Sequence, residues 1–280
     1  MSRIFAVVIP AFGKVEMTRL VVQQCLEEDD MVDVYVVDNA GDYLAVADER
    51  LIHPGKNLGW LKGTNLGFQH ALIGGRYEAL MSLNNDTTLS ENFFAAMGDA
   101  LSAHPAVGLL APSYDDSFDV QNNFYTGPAA AFPARPEEVA TDLVDGTCFA
   151  IPTPAFLEIG FLDARRFGRR GWGAVEDLAV RTREHQRQIL VTRRAYLSHN
   201  RGATSRSRWV SYERYAAAEA RRGMRGKWGP AWRDHFSREL FPPRDRFDRL
   251  RDSLRAFEDR VGLSETWVGR RGSRLDSDRA

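Results

Sequence analysis

Residues 77–87 read YEALMSLNNDT, an apolar run from Tyr77 to Leu83 closed by Asn84, Asn85 and Asp86 in succession. The run has the length and composition of a buried strand. Asn and Asp end it, because their side chains compete with the backbone for hydrogen bonds. A turn followed by a helix start at Ser90-Glu91 is one account of NND. The other is that Asp86 faces something cationic.

Outward from this stretch the chain alternates. IFAVVI (4–9) reads as a strand stopped by Pro10. VEMTRLVVQQCLEE (15–28) places Met17, Leu20, Val21, Val22, Cys25 and Leu26 on one helical stripe. VDVYVVD (32–38) is a second strand ending in Asp38, and Leu51-Ile52 a short third. The glycine-rich KNLGWLKGTNLG (56–67) opens a helix running to about Leu72. A helix over 91–104 and a strand over 107–112 follow, then loop-like text from 113 to 142. Strands at 145–152 and 189–192 come next, with a helix from about Val175 between them and a polar loop from 197 to 209. Such alternation predicts an α/β, Rossmann-like, mostly parallel sheet flanked by helices. In these sheets ligands gather where strands end, here at Pro10-Ala11, Asp38 and Asn84-Asn85-Asp86. From Trp209 to about 263 the pattern is amphipathic helix broken at Gly229-Pro230 and Pro242-Pro243. The expected division is therefore a domain over 1–208, a helical extension over 209–268 and a disordered tail over 269–280.

The chain has 280 residues, 44% hydrophobic and 27% charged, ordinary for a soluble globular protein. Its two cysteines make no disulfide framework and lack metal-ligand spacing, which suits a reducing compartment. No stretch approaches the ~20 apolar residues of a membrane span. A cytoplasmic protein, at most peripheral at the inner face of a membrane, is expected. The net charge of −1 divides into −9 over 1–200 (17 basic, 26 acidic) and +8 over 201–280 (20 basic, 12 acidic). A basic tail suits an anionic partner. Its charges are interleaved, however, as on a solvated helix, and the four Lys against 33 Arg mark a general bias toward Arg.

Neither GxGxxG in the first βα loop nor GxxxxGK[ST], HExxH or GxSxG is present, so the familiar dinucleotide, P-loop, zincin and hydrolase fingerprints are absent. Carboxylates and one histidine remain. Asp86 suits a hard divalent cation. Glu176-Asp177 opens a helix, where acids commonly complement the dipole. His199 is a loop imidazole.

Taken in order, VVIPAF, VVDNA, NLGWLKGTNLGF, LMSLNNDT, LVDGTCFAI, GFLD, GAVEDL and SHNRG resemble the inverting glycosyltransferases of family 2. The similarity is to the rhamnosyl- and galactofuranosyl-transferase-like branch, with the fold called GT-A, and it covers about residues 4–205. It implies a metal-dependent inverting transferase that takes a sugar from a nucleotide-sugar, UDP- or dTDP-linked, to a saccharide or lipid-linked acceptor. Pro10, Ala11 and Asp38 would hold the base and ribose. Asn57, Gly59, Gly63, Asn65, Asn84 and Asn85 would border the rest of the nucleotide-sugar. Asp86, in the place of the DxD motif, and His199 would bind Mn2+ or Mg2+. Asp177 would be the general base, with Gly146, Trp172 and Glu176 on the acceptor side.

Two positions depart from the family pattern. Asn84 replaces the first DxD acid, and Ala179 stands where relatives often carry an acid two residues after the base. Other readings are a nucleotidyltransferase and a non-catalytic sugar-nucleotide-binding protein. Trp209, Trp228 and Trp232 in the basic tail also leave room for a DNA acceptor.

Overall fold

The computed structural model describes residues 4–28, 30–114, 121, 124–200 and 209–237, the side chains of 209–214 excepted. Contacts divide the chain into two units, Met1–His235 and Phe236–Ala280. The expected tail over 269–280 lies outside the described residues. No helix among the described residues is long and apolar enough to cross a membrane.

The first unit is an α/β fold on a nine-stranded sheet. Its strands are β1 (Phe5–Ala11), β2 (Val32–Asp38), β3 (Arg50–Ile52), β4 (Ala79–Leu83), β5 (Thr87–Leu89), β6 (Val107–Tyr114), β7 (Glu138–Ala140), β8 (Cys148–Pro152) and β9 (Gln188–His199). The helices are α1 (Val15–Leu26), α2 (Gly59–Gly74), α3 (Phe93–Ala103), α4 (Thr153–Ile159), α5 (Ala174–Glu184) and α6 (Trp209–Trp228). The sheet order is β3-β2-β1-β4-β8-β6-β9-β5, with β7 also on β9. Strands β3, β2, β1 and β4 run parallel, and β8 is antiparallel to both β4 and β6. The expected parallel pattern holds over the first half, and the second half is mixed.

Three local departures from the sequence reading have physical causes. Strand β1 runs through Pro10, because its ladder with β4 ends at Val8↔Ser82 and no hydrogen bond is lost to the missing N–H. Strand β9 is far longer than 189–192. Arg193 and Arg194 interrupt its apolar pattern, but Arg194 Nε lies 2.6 Å from Glu138 on β7 and the Arg193 N–H donates to the Glu137 carbonyl. A register shift opposite Pro112/Ser113 then lets β9 continue to His199. Finally, α3 begins at Asn92 in a left-handed conformation (φ 52°), with no cap from its own side chain. The carboxylate of Glu28 accepts from the Phe94 and Ala95 N–H groups at 3.0 and 2.9 Å, capping the helix from outside it.

The core between β1, β4 and the flanking helices holds Val7, Ile9, Met81, Phe93, Phe94 and Met97, all essentially without exposure. Helix α2 lies unusually close to β1. A Cβ on Gly67 would sit 2.2 Å from Val8 Cγ1, and one on Gly63 would approach Asn39 Nδ2 at 3.2 Å and Pro10 Cβ at 3.4 Å. The glycines of the rich segment thus let the helix rest on the strand ends.

Gly67→Ala should destabilise the protein by about 1–3 kcal/mol through overpacking against Val8, read as a lowered urea midpoint with unchanged slope.

Candidate active site

The NND turn leads from β4 into β5, which pairs antiparallel with the end of β9 in the register Thr87↔His199. The Asn200 N–H donates to the Asp86 carbonyl at 2.8 Å, locking the turn to that strand. This pairing brings together two residues over a hundred positions apart: His199 Nε2 lies 3.2 Å from Asp86 Oδ1, with both side chains 14% exposed. The other ring nitrogen, Nδ1, is 3.4 Å from Thr147 Oγ1. That hydroxyl gives its own proton to Asp145 Oδ1 at 2.6 Å, so its lone pairs face the imidazole. Nδ1 can donate to that hydroxyl, which would leave Nε2 able to give a lone pair to a cation shared with Asp86.

The donor set fits a divalent ion. Two neighbouring ligands of an octahedral ion bound at about 2.1 Å lie about 3.0 Å apart. Among the described residues no group of three or more His, Cys, Asp and Glu converges on one point. To such an ion the described residues would contribute Asp86 and His199.

The other nucleotide-side positions border the same strand ends. Pro10 and Ala11 are buried at the end of β1. Asp38 closes β2, and its oxygens accept from Ala40 (3.0 Å), Gly41 (2.8 Å) and Tyr43 (2.9 Å) N–H groups. His53 Nδ1 stands 3.5 Å away. Asp38 thus organises the loop after its strand. Asn57 Oδ1 accepts from the Gly59 N–H at 2.8 Å, and Gly59 (φ 77°) sits so near the Arg169 carbonyl that a Cβ would clash at 2.3 Å. Asn65 is engaged at both ends with Leu162, donating to its carbonyl at 2.8 Å and accepting from its N–H at 3.1 Å. Its side chain is a bracket between α2 and the segment after α4. Asn85 donates to Thr18 Oγ1 at 2.9 Å, and Asn84 Oδ1 accepts from the Trp60 indole at 3.0 Å.

On the expected acceptor side, Gly146 is pressed between Trp60 and Val175, where a Cβ would meet both within 3.4 Å. Half-buried Trp172 follows Gly171, itself packed on Trp60.

The two acids of α5 differ sharply. The side chain of Asp177, expected as the general base, has no exposed surface. Its Oδ2 accepts from Arg181 Nε at 3.0 Å; its Oδ1 accepts from Lys227 Nζ at 2.8 Å and Trp228 Nε1 at 2.9 Å. Glu176 is half-buried, and none of the described residues forms a salt bridge with it. Desolvation, reinforced by the negative charges of Asp145 and Asp177, pushes its carboxyl up to about 7, against backbone N–H groups of Glu176 and Gly173 that pull the other way.

Sequence reasoning missed Trp60, Asp145, Thr147 and Lys227, and read Trp228 only as an aromatic of the basic tail. Asp145 and Thr147 lay within a quoted landmark, DGT. Nothing local could have linked Lys227 to Asp177, fifty positions earlier.

No protein-family model matches the chain. It is 34% identical over 222 residues to the uncharacterized proteins Rv1525 of Mycobacterium tuberculosis and Mb1552 of Mycobacterium bovis. Those matches cover 78% of this chain and 83% of each relative. The chain belongs to their family. Among solved structures it resembles the mannosyltransferase PcManGT from Pyrobaculum calidifontis in complex with GDP-Man and Mn2+. The TM-score is 0.53 at 13% identity, over 94% of this chain and 84% of that one. It also resembles GalNAc-T7 with UDP, GalNAc and Mn2+, with a TM-score of 0.54 at 12% identity. That likeness covers 71% of this chain, which spans only 44% of GalNAc-T7. The shared fold is GT-A.

With its cationic partners left unpaired, Asp177→Asn should cost about 3 kcal/mol, seen as a lower thermal midpoint. A solvent-facing acid in a first helical turn would cost only about 0.3–1 kcal/mol.

Proposed function

We propose that the protein is a metal-dependent inverting glycosyltransferase. Its donor is a nucleoside-diphosphate sugar, a UDP- or dTDP-sugar, and its acceptor the hydroxyl of a saccharide or lipid-linked saccharide. One observation carries the reading: in a GT-A fold, a carboxylate–imidazole pair spaced for a divalent ion stands at the strand ends, and an acid held near neutrality opens the helix packed against the same Gly146 loop. The solved structures with this fold hold Mn2+ together with UDP or GDP-Man, which supports the donor class.

Asp86 and His199 would hold the ion. When bound, it supplies Lewis-acid stabilisation to the departing nucleoside diphosphate. Pro10, Ala11 and the Asp38 loop border the base and ribose, with the α2 glycines holding the helix against those strand ends. The base is assigned to Glu176 rather than Asp177. A general base must be accessible and serves best with an acidity near the working pH; Glu176 keeps some exposed surface and is pushed up to about 7, whereas the Asp177 side chain has none. Its carboxylate accepts the acceptor hydroxyl's proton as that oxygen bonds to the anomeric carbon and the carbon–phosphate-oxygen bond breaks. A single displacement inverts the centre and needs no nucleophile from the chain. Gly146 and Trp172 shape the acceptor side. A DNA acceptor finds less support, since Trp228 is hydrogen-bonded to Asp177 and Trp232 is buried.

Glu176→Gln should leave nucleotide-sugar affinity nearly unchanged and lower transfer by roughly 10²-fold or more. Because only the ionised carboxylate accepts a proton, wild-type kcat/KM should rise as pH passes through about 7, and the variant should lose that rise. Normal transfer by Glu176→Gln would remove the base assignment.

Asp86→Ala should abolish metal-stimulated turnover, and His199→Ala should weaken it less, since a neutral ligand contributes less than an anionic one. Activity titrations with Mn2+ against EDTA check both.

A further inference from the structure

We propose that Asn84 binds the donor's diphosphate as a hydrogen-bond donor rather than contributing to the metal, and that Trp60 is the positioning residue that holds it so. The inference rests on the nucleotide-sugar reading and assigns, within it, what the NND turn does in the absence of its first acid.

The indole N–H of Trp60 lies 3.0 Å from the Asn84 side-chain oxygen. An indole nitrogen donates and cannot accept, so the amide atom facing it must be oxygen, whichever way an isolated amide would be drawn. The carboxamide is therefore oriented by chemistry: Oδ1 points inward to Trp60 and the NH2 group points away from it. That NH2 group makes no hydrogen bond to the described residues, and Asn84 is partly exposed. An NH2 group has no lone pair to give a metal. It is a donor, two residues before Asp86, on the turn that would hold a metal-bound diphosphate. Anionic phosphate oxygens are its natural complement, through charge-assisted hydrogen bonds.

Trp60 is itself fixed. Gly146 and Gly171 pack against its ring so closely that a Cβ on Gly171 would sit 2.5 Å from it. The turn is fixed too, since the Asn84 N–H donates to the Thr147 carbonyl at 2.9 Å and its carbonyl accepts from Thr87 Oγ1 at 3.0 Å. A rigid indole and a rigid turn leave the amide a single orientation. A carboxylate at position 84 would instead present a second negative charge to the phosphates, tolerable only with the metal in place.

The consequence is a measurable affinity for nucleoside diphosphate without metal. The test uses the full chain and titration calorimetry with UDP, dTDP and GDP, first in Mn2+ and then in EDTA. The nucleotide that wild type binds best is carried to the variants. In EDTA, Asn84→Ala should weaken binding by about ten-fold or more, and Asn84→Asp by more still through repulsion. Trp60→Phe should also weaken it, because the freed amide can turn its oxygen outward. Thermal midpoints report whether each variant is folded, and Asn84→Ala decides alone if Trp60→Phe is not.

Variants within two-fold of wild type in EDTA would overturn the proposal, as would losses confined to Mn2+, the signature of a metal ligand. A loss seen with a nucleotide-sugar but not with its nucleoside diphosphate would move the contact to the sugar and overturn it as well. If wild type binds no nucleotide even in Mn2+, it is the functional reading that fails.

Discussion

A carboxylate without exposed surface must find its compensation inside the protein, and the compensation of Asp177 ties α5 to its neighbours. Arg181 takes one oxygen and, with its remaining nitrogens, the Ile159 and Phe161 carbonyls, tying α5 to the end of α4. Lys227 and Trp228 take the other oxygen from α6, and Lys227 also reaches Asp163 at 3.0 Å. Burial alone would raise the Asp163 carboxyl, but Lys227 and the Arg165 and Arg166 N–H groups more than offset it and hold it low. One buried charge thus joins α4, the loop after it, α5 and α6. Replacing any partner alone leaves charge uncompensated, which is why the set acts as a unit.

The same packing explains the glycines of 168–173. Gly173 approaches the Ala220 backbone on α6 within 2.9 Å of where a Cβ would stand, and Gly171 approaches Trp60 on α2. At these glycine positions a side chain would strike one of the two helices, so the glycines set how closely the segment packs between them.

Much of this was legible before the structure. Strands at 32–38 and 77–83 and the helix over 15–28 carry their period in apolar residues, and the structure places them within a few positions. Asp86 stood out because three polar residues in a row end a buried strand. What stayed hidden was set by pairing between distant segments. The β5–β9 register that brings His199 to Asp86 leaves no local trace, since the polar Ser198 and His199 read as loop. The surroundings of Glu176 and Asp177 could not be divided from their order, because both are acids in a first helical turn. Lys227 and Trp228, far along the chain, separate them.

The division of labour among the acids follows from what faces each one. Asp86 has an imidazole at 3.2 Å and the geometry for an ion. Asp145 accepts from the Thr147 N–H and hydroxyl. Asp163 and Asp177 share Lys227. Glu176 is desolvated beside the negative charges of Asp145 and Asp177, which raises its proton affinity despite the backbone N–H groups of Glu176 and Gly173. In the proposed reaction, Glu176 combines a raised proton affinity with some exposed surface, the pairing that proton removal from an acceptor hydroxyl would use.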